Sequence, residues 1–132
     1  MITKINHIGI AVQNLDEAME TYKDLGFCVI SREIVSSQKV EVAMIQIGEN
    51  YIELLQPTAG DSPLAKFLEH NGPGIHHLAV RVDDIEKTLL EYEQKGIRMI
   101  DRVPREGAHG TKIAFVHPKS TNGVLLEICM EA

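Results

Sequence analysis

Tryptophan is absent, and aromatic residues make up only 5% of the chain. Proteins that hold single-stranded nucleic acid do so on stacked aromatic rings, so that function class is disfavoured. Positive charge is also in deficit: 13 Lys and Arg stand against 19 Asp and Glu, for a formal net charge of −6. Such a balance repels phosphate backbones. Only two cysteines occur, Cys28 and Cys129, with no CxxC pair. They provide neither a disulfide framework nor a Cys-rich zinc site. Each lies in an apolar, strand-like run, so both are expected as buried free thiols, in keeping with a reducing compartment. No apolar run is long enough to span a membrane. The opening Met1-Ile2-Thr3-Lys4 has no apolar leader core. A soluble cytoplasmic protein with no nucleic-acid or membrane partner is the expectation.

What is present is a repeat. Ile5-Asn6-His7-Ile8-Gly9-Ile10-Ala11-Val12 aligns with Ile75-His76-His77-Leu78-Ala79-Val80-Arg81-Val82 at an offset of 70. The offset carries Tyr22 onto Tyr92, Gly26 onto Gly96 and Ile30 onto Ile100. Later, Glu53 in Tyr51-Ile52-Glu53-Leu54-Leu55 matches Glu127 in Leu125-Leu126-Glu127-Ile128-Cys129 at an offset of 74. The four extra residues fit the last turn, His117 to Gly123, whose Pro and Gly suit a longer loop. With 132 residues and 44% hydrophobic content, two halves sharing a core are more stable than two independent domains. One domain over 1–132 is expected.

Period-2 alternation predicts a strand over 4–13, and a 3.6-residue stripe predicts a helix over about 15–25. Asn14 and Glu17 have capping-box spacing, and Gly26 ends the helix. Strands are expected over 27–34, 39–48 and 51–57, the last two joined by Gly48-Glu49-Asn50. After a connector, 58–74, with a short helix from Ser62-Pro63 to His70, the order repeats. A strand over 75–82, a helix over 85–95 and strands over 97–103, 111–117 and 124–130 follow. The fold class is α+β. Two tandem βαβββ modules, about 4–57 and 75–131, form a curved mixed sheet with helices on its outer face. Ile8, Ile10 and Val12 should face the first helix, which turns His7 and His77 the other way. Their neighbours on that face, Gly9, Ala11 and Ala79, are small, which suggests a cavity.

Taken singly, Glu53 is most simply a solvent-facing carboxylate and His7 a satisfied strand histidine. One His and one Glu repeated at equivalent places in both halves change that reading. Buried carboxylates need a proton, a partner or a cation. His7, Glu53, His77 and Glu127 are therefore read as the ligands of one divalent metal. The N2O2 set has no thiolate and suits a five- or six-coordinate Co²⁺, Mn²⁺, Ni²⁺, Zn²⁺ or Mg²⁺ with open positions, without ranking them; Co²⁺ is taken as the first expectation. His76 points to the opposite face from His77 and is expected to pack. His70, His109 and His117 fall in loops or at strand ends.

These segments resemble the vicinal oxygen chelate superfamily, which in general plan includes glyoxalase I, extradiol dioxygenases and fosfomycin-resistance proteins. The more particular resemblance is to methylmalonyl-CoA epimerases. It is carried by His7-Ile8-Gly9-Ile10-Ala11-Val12, by His76-His77-Leu78-Ala79-Val80-Arg81-Val82, and by His117-Pro118-Lys119-Ser120 with Gly123-Val124-Leu125-Leu126-Glu127. The resemblance implies metal-dependent interconversion of the 2R and 2S forms of methylmalonyl-CoA through an enolate. It implies the same four metal ligands, an acyl-CoA substrate and a homodimer. It also implies a catalytic carboxylate on the strand before the second ligand, matched by Glu41, which would act opposite Glu127. For the CoA phosphates, Lys119 and Ser120 are candidates, with Lys112 and Arg105 behind them. A glyoxalase I-type lyase and a metal-free binding module on the same fold are the alternatives.

Overall fold

A computed structural model describes residues 1–132. Its elements are β1 (Ile2–Ala11), α1 (Leu15–Asp24), β2 (Cys28–Val35), β3 (Val40–Ile47), β4 (Asn50–Pro57), α2 (Pro63–Asn71), β5 (Gly74–Val82), α3 (Ile85–Gln94), β6 (Arg105–Glu106), β7 (Lys112–Val116) and β8 (Leu126–Met130). The chain is α+β, and the βαβββ order occurs twice. It divides into two compact units, one of residues His7–His76 and one of Met1–Asn6 with His77–Ala132. No helix is long and apolar enough to cross a membrane.

In the first unit the strands lie in the order β2-β3-β4-β1. β1 runs parallel to β4, and the β2-β3 and β3-β4 pairs are antiparallel. Gly48 and Glu49 close the β3-β4 hairpin as a two-residue loop, with Gly48 at φ 58°. The apolar stripe of α1 packs its Leu15, Ala18, Met19 and Tyr22 on Ile10, Val12, Ala43, Ile45, Ile52 and Leu54. Leu15, Ile45 and Leu54 are fully buried, and each contributes about 2–3 kcal/mol by leaving water.

The second unit has the order β5-β8-β7-β6. The leading half of β1 lies beside β5, where Asp83 N–H donates to the Met1 carbonyl and Thr3 Oγ1 to the Arg81 carbonyl. Here α3 packs Ile85, Leu89 and Tyr92 on Val80, Val82, Ala114 and Ile128.

The duplication extends to the helix ends. Asn14 Oδ1 accepts from Glu17 N, and Asp84 Oδ1 accepts from Lys87 N, both at 3.0 Å. Such caps satisfy backbone donors that the first turn leaves over. At the other end Gly26 and Gly96 both adopt positive φ, 100° and 72°. Each donates to the carbonyl three residues back while the next residue donates to a tyrosine carbonyl, Tyr22 or Tyr92.

Two expectations fail. The strand expected over 97–103 is not formed. Met99 makes an isolated bridge to Val116, and regular pairing begins only at Arg105–Glu106. Asp101 and Pro104 explain this. Asp101 Oδ2 accepts from Phe115 N at 2.9 Å, so a side chain takes a place in the ladder, and Pro104 has no N–H to give. Cys28, expected buried, is exposed, whereas Cys129 is buried. Cys28 starts edge strand β2, opposite exposed Gln46, with its neighbour Val29 turned toward α1.

Candidate metal centre

In the first unit the alternation of β1 turns Ile10 toward α1, which leaves His7, Gly9 and Ala11 on the other face. Gly9 pairs with Glu53 across the β1-β4 ladder, so Glu53 shares that face. Gly9 has no side chain to fill the space beside Glu53. His7 Nε2 lies 3.3 Å from Glu53 Oε1, and both residues are buried, 3% and 7% exposed. Burial pushes the His7 imidazole down to about 3, which keeps it neutral and fit to ligate. Burial, helped by the negative charge of Glu33, pushes the Glu53 carboxyl up to about 8.

The second unit repeats the pair. Ala79 is opposite Glu127, and His77 Nε2 lies 3.5 Å from Glu127 Oε1. Both residues are 3% exposed. The Phe115 ring, whose residue also pairs with Glu127, meets His77 edge-on at 5.6 Å. Behind it lies an apolar floor of Ile113, Cys129 and Leu125. Two buried imidazoles, that of His7 neutral, and two buried carboxyl groups are the donor chemistry of a hard-to-borderline divalent ion. The donor set fits.

Glu41 is not where the resemblance puts it. It pairs with Gln56, whose Oε1 accepts from Leu15 N at the start of α1, so Glu41 lies on the helix side. Arg32 Nε donates to Glu41 Oε2 at 2.7 Å, and the same guanidinium reaches Asp16 of α1. Met44, opposite Glu53, and Val42, opposite Leu55, occupy β3 on the His7 face. Glu41→Gln is therefore expected to leave any chemistry of this site within about twofold, read as turnover at saturating metal.

Of the cations, Arg105 stands over the Phe115 ring at 5.7 Å and 3.2 Å from Asp101 Oδ1. Asp101 thus ties Arg105 and the Phe115 backbone together beside His77. Sequence reading assigned Asp101 no role, and nothing in Ile97-Arg98-Met99-Ile100-Asp101-Arg102-Val103 sets it apart. Lys112 is exposed at the start of β7, and Lys119 is exposed in the 118–120 turn. Ser120 Oγ accepts from Arg98 N, so its hydroxyl braces the backbone. His117 caps that turn, with Nδ1 accepting from Lys119 N at 3.1 Å. His76, as expected, packs, edge-on to Phe67 at 4.9 Å.

Gly107 holds the loop between β6 and β7 against this floor. A Cβ there would lie 2.7 Å from Ile113 Cγ2 and 2.8 Å from Thr111 Oγ1. Gly107→Ala is expected to destabilise the protein by about 1–3 kcal/mol, measured as a lower urea midpoint.

Residues 6–115 match the family described as the glyoxalase/bleomycin resistance protein/dioxygenase superfamily. The mitochondrial methylmalonyl-CoA epimerase of Dictyostelium discoideum is 39% identical over 96% of this chain and 78% of its own length. The chain belongs to the methylmalonyl-CoA epimerase family. Another relative, the uncharacterised protein YqjC of Bacillus subtilis, is 42% identical over 97% of this chain and 92% of its own. A solved methylmalonyl-CoA epimerase in complex with methylmalonyl-CoA and NH4+ superposes with a TM-score of 0.96. It is 39% identical, and the match covers 100% of this chain and 96% of that one.

Proposed function

We propose that His7, Glu53, His77 and Glu127 hold one divalent ion, and that residues 1–132, working as one domain, interconvert the 2R and 2S forms of methylmalonyl-CoA. The observation that carries this reading is a buried His–Glu pair repeated in each unit of a methylmalonyl-CoA epimerase-family chain. The C2 proton lies between a thioester and a carboxylate and is only weakly acidic. A divalent ion held by these four residues would supply charge stabilisation as that proton leaves, worth several kcal/mol, or roughly three powers of ten in rate. Burial keeps His7 and His77 out of water and in the geometry of a ligand. Glu127 takes the C2 proton from one face and returns it in the reverse direction. Phe115 and the apolar floor exclude water from that exchange. Arg105 meets the substrate carboxylate or the CoA phosphates, with Lys112, Lys119 and Ser120 farther along the acyl-CoA chain.

The test is proton NMR of methylmalonyl-CoA in D₂O. Deuterium enters C2 with enzyme, stops with EDTA and returns on adding Co²⁺. Absence of exchange in the metal-loaded protein refutes the reading. Turnover of a hemithioacetal in a parallel assay would favour a lyase instead. The reading extends to Co²⁺ as the resident ion and to a homodimer in the cytoplasm. Metal content is expected at one ion per chain, since two pairs binding separately would give two.

A further inference from the structure

Inversion at C2 needs a proton-transfer group on each face of the planar intermediate, and Glu41 is turned away and engaged by Arg32. We infer that Glu33 of β2 is the second acid/base, an inference that rests on the epimerase reading above. Its placement comes from an irregularity. Val29 pairs with Ile45 and Ser31 with Met44, so the register slips at Ile30. A bulge reverses the inward-outward phase of everything after it. Val29, before the slip, packs on the α1 cluster. After it, Arg32 reaches Asp16 of α1, and Glu33 pairs with Val42. Val42 pairs in turn with Leu55, two residues along β4 from Glu53. Glu33, Val42, Leu55 and Glu53 therefore share the His7 face.

On that face the other β2 and β3 residues are Cys28, Ser31, Val35, Val40, Val42, Met44 and Gln46, none of which carries a carboxylate. Glu53 lies 3.3 Å from His7 Nε2 and is taken up by that pair. Glu33 is the remaining carboxylate. It is half-buried, and its charge is felt at Glu53. It stands two strands away from Glu53, about 10 Å laterally, which leaves room for an acyl group between an ion and a base. The reaction balances as one proton out and one in. Glu127 breaks the C2–H bond on one face, and the electron pair passes to the thioester carbonyl. Protonated Glu33 then forms a C2–H bond on the other face, and the reverse reaction exchanges their roles.

The test uses metal-loaded Glu33→Gln and Glu33→Asp, with 2R and 2S substrate followed separately by NMR in D₂O and by chiral assay. Glu33→Gln is expected to slow epimerisation by about 100-fold or more, with metal content unchanged. One stereoisomer, the one served by Glu127, still exchanges its C2 proton with retention. Glu33→Asp recovers part of the inversion. Epimerisation within threefold of the parent overturns the assignment, as does equal loss of exchange from both isomers. The same one-sided behaviour in Glu53→Gln but not in Glu33→Gln moves the role to Glu53. If the parent protein itself exchanges neither isomer, the epimerase reading fails first, and the assignment falls with it.

Discussion

Glu127→Gln is expected to lower kcat/KM for C2 proton exchange by about 10³-fold or more in the stereoisomer that Glu127 serves. Gln keeps the shape, and the site is 3% exposed, so the fold survives. What is lost is twofold. A neutral amide cannot take a proton from carbon, which alone is worth about 10² to 10⁴ in rate. The amide oxygen is also a weaker ligand than a carboxylate, so the His77 side of the centre loses charge compensation. Effects of groups that act together do not add, and the total need not equal the product of the two. The signature differs from that expected of Glu33→Gln. At saturating metal, loss at Glu127 stops exchange of the stereoisomer it serves and weakens metal binding, whereas loss at Glu33 stops exchange of the other stereoisomer and spares the metal. Titration of the purified variant with Co²⁺, followed by NMR at saturating metal, separates ligand loss from base loss. Exchange within tenfold of the parent would remove Glu127 from the chemistry.

Much of this site was legible because duplication repeats local physics. The offset of 70 carried His7 onto His77 and Asn14 onto the cap Asp84, and Gly26 onto Gly96, where each helix ends on a residue with positive φ. Alternation placed Ile10 toward α1 and His7 away from it without any knowledge of partners. The losses came where an irregularity breaks a period. The bulge at Ile30 exchanges the faces of Arg32 and Glu33, and nothing in Cys28-Val29-Ile30-Ser31-Arg32-Glu33 marks it. Matching Glu41 to a family carboxylate failed for a related reason: neighbouring strand residues face opposite ways, so an error of one position moves a side chain through the sheet. The strand expected over 97–103 is not formed, because the Asp101 carboxylate accepts from Phe115 N where a backbone carbonyl would continue the ladder. The same Asp101 also holds Arg105, which stands over the Phe115 ring.

Removal of the ion is expected to make stability fall as pH rises from 6.5 to 8. Glu53 holds its proton more tightly folded than unfolded, because burial lifts its carboxyl from 4.5 to about 8. The unfolded chain therefore releases that proton first, and stability drains as pH rises through this window. His7 and His76 behave oppositely. Burial lowers them from 6.5 to about 3 and about 4, so stability is lost as pH falls below 6.5. Between 4.5 and 6.5 the two imidazoles outweigh the single carboxyl. These three groups together set the optimum of the metal-free protein near pH 6.5. At about 1.36 kcal/mol per pH unit, Glu53 alone removes about 2 kcal/mol between pH 6.5 and 8. With the ion bound, Glu53 is already ionised in the folded state, so the alkaline loss disappears. The acid loss steepens, because protonating the ligands expels the metal. Urea midpoints at pH 6.5 and 8, in EDTA and in excess Co²⁺, measure both limbs. A metal-free protein equally stable at the two pH values would mean that Glu53 folds as a carboxylate without an ion. Its burial beside His7 would then have a source of compensation other than a metal.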